Sequence, residues 1–238
     1  MLNMTVGEIV AKNIKTADIF AKNKIDFCCK GNLLLSDVVK EKELNEEEIL
    51  KQIQEILNEN DKGDFSNLSN AELIDNIVNT HHKYVKESFE ILSPLVKKVY
   101  EVHGEAHPEL KEIKYLYFDS VNEFNMHMQR EENVLFPFIN LITKADKEGN
   151  QIPRPHFVTV NNPIARMMKD HADEGERFEK IERLTNNYTP PADACNSYKY
   201  LYSKLKEFQD DLFQHIHKEN NILFPRAIEI EKRIEFIA

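Results

Sequence analysis

Two stretches of this 238-residue chain repeat one pattern: His127-x-x-x-Glu131-x-x-x-Leu135-Phe136-Pro137 and His215-x-x-x-Glu219-x-x-x-Leu223-Phe224-Pro225. Residues four apart on an α-helix share a face about one turn apart, so each pair can aim one imidazole nitrogen and one carboxylate oxygen at the same point. That is metal-ligand chemistry. A single His-x-x-x-Glu carries little weight in a chain rich in glutamate, where it reads as a solvated helix face. The second copy, with Leu-Phe-Pro at the same offset, changes the odds. Both pairs also continue apolar stripes: Phe124, His127, Glu131, Leu135, Phe138 in one and Phe208, Leu212, His215, Glu219, Ile222 in the other. Carboxylates placed this way are buried, and buried carboxylates need a compensating charge such as a cation.

The repeat extends backward. His82 precedes His127 by 45 residues and His171 precedes His215 by 44, each on the apolar face of its own helical pattern. The plan is therefore a histidine on one helix and a His/Glu pair on the next, used twice. Four nitrogen and two oxygen donors with no thiolate suit two first-row metals, with iron ahead of manganese and zinc. The glutamates can bridge, and six residues leave room for an oxo or hydroxo bridge and an outside ligand. Neighbouring candidates rank lower. His81 lies about 100° round the helix from His82 and is the alternative ligand there. His103-x-x-x-His107 falls in a turn beside Gly104 and Pro108 and is expected to be solvated. His217 is expected to face away from the core, and Glu132 to face away from Glu131. Glu123 and Asp170 are either acids that support the ligands and line a path to the metals or plain surface carboxylates.

Positioning six such residues takes long helices. Only 6 glycines and 9 prolines, with apolar residues at helical spacing, point to an all-α chain. Four amphipathic patterns follow residue 68. The first starts near Ser69 with Glu72 in capping-box position, the second after Pro108, the third at Asn162 with Pro163 in its first position, and the fourth after Pro190-Pro191. Short connections at 103–108 and 186–191 make two antiparallel hairpins, joined by a long loop over 143–161. Four such stripes bury one another in a four-helix bundle. Ahead of it, Thr5-Val6-Gly7-Glu8 and Asn45 with the following glutamates mark short helices. The polar run 58–64 reads as a linker, dividing the chain into a small helical domain over 1–60 and the bundle over 69–238.

A formal net charge of -10 and the absence of a basic stripe exclude nucleic acid as a partner. No apolar run reads as a signal peptide or membrane span. The three cysteines, two of them adjacent, do not form a secreted disulfide framework, which fits a reducing cytoplasm. Adjacent cysteines make a strained disulfide, so Cys28 and Cys29 read as redox-switchable thiols, an intermolecular link or soft metal ligands in a tight exposed turn or helix entry, or else as small core residues. Cys195, at the start of the fourth long helix, reads as structural.

Residues 69 to 230 resemble a hemerythrin-like domain. Asp26-Phe27-Cys28-Cys29-Lys30-Gly31-Asn32 resembles the cysteine-pair motif of the small N-terminal domain in the repair-of-iron-centres family, the di-iron proteins of iron–sulfur cluster repair. Lys30, where a small residue is common, and the large 143–161 loop depart from the family pattern without touching the ligands. The resemblance implies two irons held by His82, His127, Glu131, His171, His215 and Glu219, with both glutamates bridging. It further implies a cytoplasmic, often dimeric bacterial protein that restores clusters after nitrosative or oxidative damage, by iron donation or by nitric oxide reduction at the di-iron centre. Partners would be damaged iron–sulfur proteins or a cluster scaffold, with NO or oxygen as small ligands. The competing readings are a hemerythrin-like oxygen or NO carrier or sensor and an interaction protein with structural metals. Carriers typically use five histidines and two carboxylates, and the pseudo-twofold plan here weighs against one.

Overall fold

The protein is described by a computed structural model covering residues 1–58 and 65–237. Of the stretch expected to be a linker, residues 59–64 lie outside the described part. In chain order the helices are α1 (Val6–Lys12), α2 (Thr16–Lys22), α3 (Leu35–Glu41), α4 (Glu46–Asn58), α5 (Asn70–Asn76), α6 (Lys83–His103), α7 (Glu109–Arg130), α8 (Phe136–Glu148), α9 (Asn161–Leu184), α10 (Asn196–Lys218) and α11 (Phe224–Glu231). Three wider π-turns interrupt them, at Ile77–His82, Glu131–Leu135 and Glu219–Leu223. Strands β1 (Ile152–Pro153) and β2 (Phe236–Ile237) pair in parallel. Contacts divide the chain into two compact units that do not follow its order: unit 1 is Met1–Asp75, Phe138–Ile164 and Phe213–Ala238, and unit 2 is Asn76–Pro137 and Ala165–Leu212.

Unit 2 is a four-helix bundle. Its core is aromatic and centres on Phe208 of α10, whose ring meets Phe89 of α6 at 5.7 Å, Phe124 of α7 at 5.9 Å and Phe178 of α9 at 5.1 Å. Polar groups stitch the same helices. Ser93 and Tyr117 hydroxyls meet at 3.1 Å between α6 and α7, and the Ser120 hydroxyl donates to the buried Glu174 carboxylate at 2.7 Å between α7 and α9. Arg177 pairs with Glu174 on its own helix and with Asp119 of α7, so the buried carboxylate is both hydrogen-bonded and charge-paired, as burial requires.

Unit 1 begins with helices whose starts follow their sequence signals. Thr5 and Glu8 close a capping box at 3.1 and 2.8 Å, Asn45 accepts from the Glu48 backbone, and Ser69 and Glu72 close a second box. Val6, Ile9, Val10, Phe20, Leu35 and Ile53 form the apolar interior of the N-terminal helices. The 143–161 loop is shorter than the sequence reading, because α8 runs on to Glu148 and buries Ile139, Ile142 and Ala145 at helical spacing. Gly149 then ends the helix with φ +66, a left-handed conformation that glycine adopts without strain.

Two of the π-turns have a cause in the repeated motif. In an unbroken α-helix the Pro137 ring would press on the carbonyl four residues back and its missing N–H would leave that carbonyl unpaired. The turn ahead of it is wider instead, with the Phe136 N–H reaching back to the Glu131 carbonyl. The Phe224 N–H does the same to Glu219 just before Pro225. Leu-Phe-Pro thus places one π-turn opening at each motif glutamate, and that turn resets the helical register for everything that follows.

Candidate metal centre

Four of the six predicted ligands lie in unit 2, all buried. His82 ends the first π-turn and His127 the last turn of α7, Glu131 opens the second π-turn, and His171 stands on α9. The His127 Nε2 atom lies 3.0 Å from His171 Nε2 and 3.2 Å from Glu131 Oε1, while Glu131 Oε2 lies 3.4 Å from His82 Nε2. A metal about 2.1 Å from each of two donors holds them about 3.0 Å apart at an octahedral angle and about 3.4 Å at a tetrahedral one. The observed spacings fall between those two edges, so the donors fit a cation.

The imidazoles are aimed from behind. His82 stacks on Phe136 at 5.8 Å and its Nδ1 lies 2.8 Å from Glu132 Oε1, which also accepts from Lys86 at 3.0 Å. With Nδ1–H donating to Glu132, the Nε2 lone pair faces Glu131. The register that separates the two glutamates holds: Glu131 faces the Nε2 atom of His82 and Glu132 the opposite ring nitrogen, a contact that the sequence reading did not foresee. Burial raises the Glu132 pKa, but Lys86 and His82 outweigh it, so the carboxylate is held below its ordinary range. Asp170 plays a related part 3.6 Å from His127 Nδ1, flanked by Arg166 and Arg130. Its pKa is lowered, with burial opposing and His127 and the two arginines prevailing. Among the described residues, of Glu123 and Asp170 only the latter reaches a ligand histidine. His81 turns the other way, its Nδ1 2.8 Å from Asp211 of α10. Glu132→Gln should lower metal affinity by about 10–100-fold without abolishing binding, read by competition with a chelator.

Unit 1 carries the remaining two. His215, near the end of α10, and Glu219, opening the third π-turn, are fully buried with Nε2 and Oε1 2.9 Å apart. The construction repeats that of His127 and Glu131, down to the π-turn and the proline beyond it. His217 corrects the sequence reading. It is fully buried, because Phe27 of the N-terminal segment packs on it at 6.1 Å and Asn221 meets its Nδ1 at 3.2 Å. Burial lowers its pKa to about 4 against the smaller opposing pull of the Phe27 carbonyl.

The same segment carries the cysteine pair. Cys28 is buried and Cys29 half-buried, so the turn is less exposed than its sequence implied. The Asp26 Oδ1 atom accepts from the Cys28 N–H at 3.1 Å, the Cys29 N–H at 2.8 Å and the Cys28 thiol at 3.2 Å. Hydrogen bonding with Cys29, burial and the Asp26 charge all raise the Cys28 pKa well above the ordinary thiol value. Asn221, two residues after Glu219, holds this turn in place: its amide donates to the Phe27 and Cys28 carbonyls at 3.3 and 3.0 Å. Gly7 and Gly31 make room for that amide. A methyl group on Gly31 would fall 2.5 Å from Asn221 Oδ1 and 2.6 Å from the Phe27 carbonyl. Gly31→Ala should therefore destabilise unit 1 by about 1–3 kcal/mol, measurable by denaturant unfolding.

The other histidines belong elsewhere. His107 is not simply solvated: it pairs with Asp193 at 3.1 Å, a hydrogen bond that raises its pKa, and His103 lies 3.2 Å from the exposed Cys195 thiol. His156 packs edge-on against Phe157.

The Hemerythrin HHE cation binding domain matches residues 73–227, which hold all six predicted ligands. A domain of unknown function, DUF542, matches residues 2–57, which hold the cysteine pair. A probable iron-sulfur cluster repair protein of Haemophilus influenzae is 38% identical over 217 residues, covering 88% of this chain and 90% of that protein. The iron-sulfur cluster repair protein ScdA of Staphylococcus haemolyticus is 33% identical, over 92% and 95% of the two chains. The iron-sulfur cluster repair protein YtfE of Pectobacterium atrosepticum is 32% identical, over 96% and 98%. With its buried histidine and glutamate donors and this similarity along nearly its whole length, the chain belongs to the hemerythrin HHE cation-binding family and, within it, to the proteins named for iron–sulfur cluster repair.

Proposed function

We propose that this chain repairs iron–sulfur clusters damaged by nitrosative or oxidative stress, and that His82, His127, Glu131, His171, His215 and Glu219 hold two irons with both glutamates bridging. The observation that carries this reading is the Glu131 carboxylate, whose two oxygens face different histidines, Oε1 toward His127 and Oε2 toward His82. A carboxylate serving one metal has no need of separate nitrogen partners for its two oxygens. Glu219 repeats the relation to His215 that Glu131 has to His127, which supports a second bridge of the same kind. Iron suits a set of imidazoles and carboxylates without thiolate, and the relatives are named for iron chemistry.

When bound, the irons supply electron transfer and open coordination positions for NO or oxygen, which six protein ligands leave free. The chain itself does the rest. Glu132 and Asp170 keep the Nε2 atoms of His82 and His127 aimed inward, and burial of all six donors keeps bulk water from competing for the metals. Iron delivered to a damaged cluster would be cargo, held until then by four imidazoles and two carboxylates and by no thiolate. In this reading residues 1–60 form the thiol-bearing domain and 69–238 the iron domain of a cytoplasmic homodimer, whose recipients are damaged iron–sulfur proteins or a cluster scaffold. Among the described residues no helix is long and apolar enough to cross a membrane.

The test is to purify the untagged chain, measure its metals, and add the reduced protein to an NO-damaged iron–sulfur enzyme. About two irons per chain, a spectral change on adding NO and recovery of the damaged enzyme are expected. Stoichiometric zinc with neither response would overturn the proposal.

A further inference from the structure

Asp26, Cys28 and Cys29 lie apart in sequence from the histidine and glutamate ligands, and each offers a donor atom within 4.8 Å of the others. The two sulfurs are 3.8 Å apart. A tetrahedral metal with bonds of about 2.3 Å to sulfur sets its thiolates about 3.8 Å apart. Asp26 Oδ1 lies 3.2 Å from the Cys28 sulfur, near the roughly 3.5 Å that one carboxylate oxygen and one thiolate keep on such an ion. We propose that Asp26, Cys28 and Cys29 form a second metal site, taking one divalent first-row cation on two thiolates and a carboxylate.

The site is built rather than accidental. The Cys28 and Cys29 N–H groups fix the Asp26 carboxylate toward the sulfurs, and Asn221 fixes the backbone of the turn through the Phe27 and Cys28 carbonyls. Gly7 and Gly31 let that amide approach, so the turn is held from two sides. Binding exchanges protons for the cation: the divalent ion enters, two thiol protons leave, and the Cys28 proton now shared with Asp26 is one of them. No oxidant or reductant is required. Among the described residues three donors come together here, and a tetrahedral ion takes a fourth. The identity of the natural ion as ferrous iron rests on the proposed repair function; the existence of the site does not.

Cobalt(II) is the probe, added without oxygen to the reduced full-length chain already loaded with iron. Thiolate donors give cobalt an intense charge-transfer absorption that imidazole and carboxylate donors cannot, so the signal reports this site against the background of the other. The band should saturate at one cobalt per chain with release of two protons. It should vanish in Cys29→Ser, a half-buried position whose replacement spares the core, and in Cys28→Ser. Asp26→Asn should weaken binding by roughly tenfold or more. Circular dichroism and iron content should match the parent in the Cys29→Ser protein. Absence of the band in folded, reduced protein overturns the site, as does a band undiminished in Cys29→Ser or Asp26→Asn. Loss of cluster repair with the cobalt band intact would count against the proposed function alone.

Discussion

Glu131→Leu should strip iron from the protein and, once both proteins are metal-free, leave the variant the more stable of the two. The first half follows from geometry: both carboxylate oxygens face ligand histidines, so one substitution removes a donor from each side of the centre. The second half follows from burial. Glu131 has no exposed surface, and a carboxylate taken out of water costs free energy that only a nearby positive charge returns. Without metal that charge is gone, and exchanging the buried carboxylate for an apolar side chain of similar volume removes a desolvation cost of about 1–3 kcal/mol. In a chain of this size each kcal/mol moves Tm by about 2–4 °C. Melting curves with and without iron should therefore cross: the parent melts higher when loaded, the variant when stripped. Glu132→Leu should keep most of its iron. Equal iron retention in the two variants, or a stripped Glu131→Leu protein that melts below its parent, would show that this carboxylate is a structural core residue.

That contrast between adjacent glutamates also marks how far the sequence could be read. Helical spacing and the doubled motif were enough to pick out His82, His127, Glu131 and His171, because each lies on the buried stripe of its own helix and the second copy of the motif shows which stripes carry donors. Glu132 points away from Glu131 as the spacing implies, but its partner, the far nitrogen of His82, stands on another helix, and spacing along one helix does not encode such a contact. The π-turn itself was signalled by Leu-Phe-Pro, since a proline inside a periodic helix must be relieved somewhere. His217 was misread for a related reason. Its position relative to its own helix was right, but that face is covered by Phe27, a residue 190 positions earlier in the chain, and no local pattern encodes such a contact. The pairing of β1 with β2 is equally invisible, two residues on each side being too few to show alternation. The thiol turn was legible as chemistry but not as architecture: the cysteines announce themselves, whereas Asn221, which holds them, is one asparagine among many.

Phe208→Ala should produce the largest loss of stability, about 3–5 kcal/mol. Phe208 is the residue at which all four helices of unit 2 meet, its ring lying within 6 Å of Phe89, Phe124 and Phe178. Truncation removes the contacts of a fully buried ring and leaves a cavity among three others that cannot all move into it. Tm should fall by about 6–20 °C, whereas Tyr115→Ala, at a side chain 70% exposed, should barely move it. The damage should also reach the metals, because Phe124 packs edge-on against His127 at 6.3 Å and is itself held by Phe208. Iron binds only the folded chain and so stabilises it by mass action. Excess iron should therefore recover part of the lost Tm in Phe208→Ala, and none in the double variant with Glu131→Leu. A double variant that regains as much as the single one would separate the aromatic core from the metal centre.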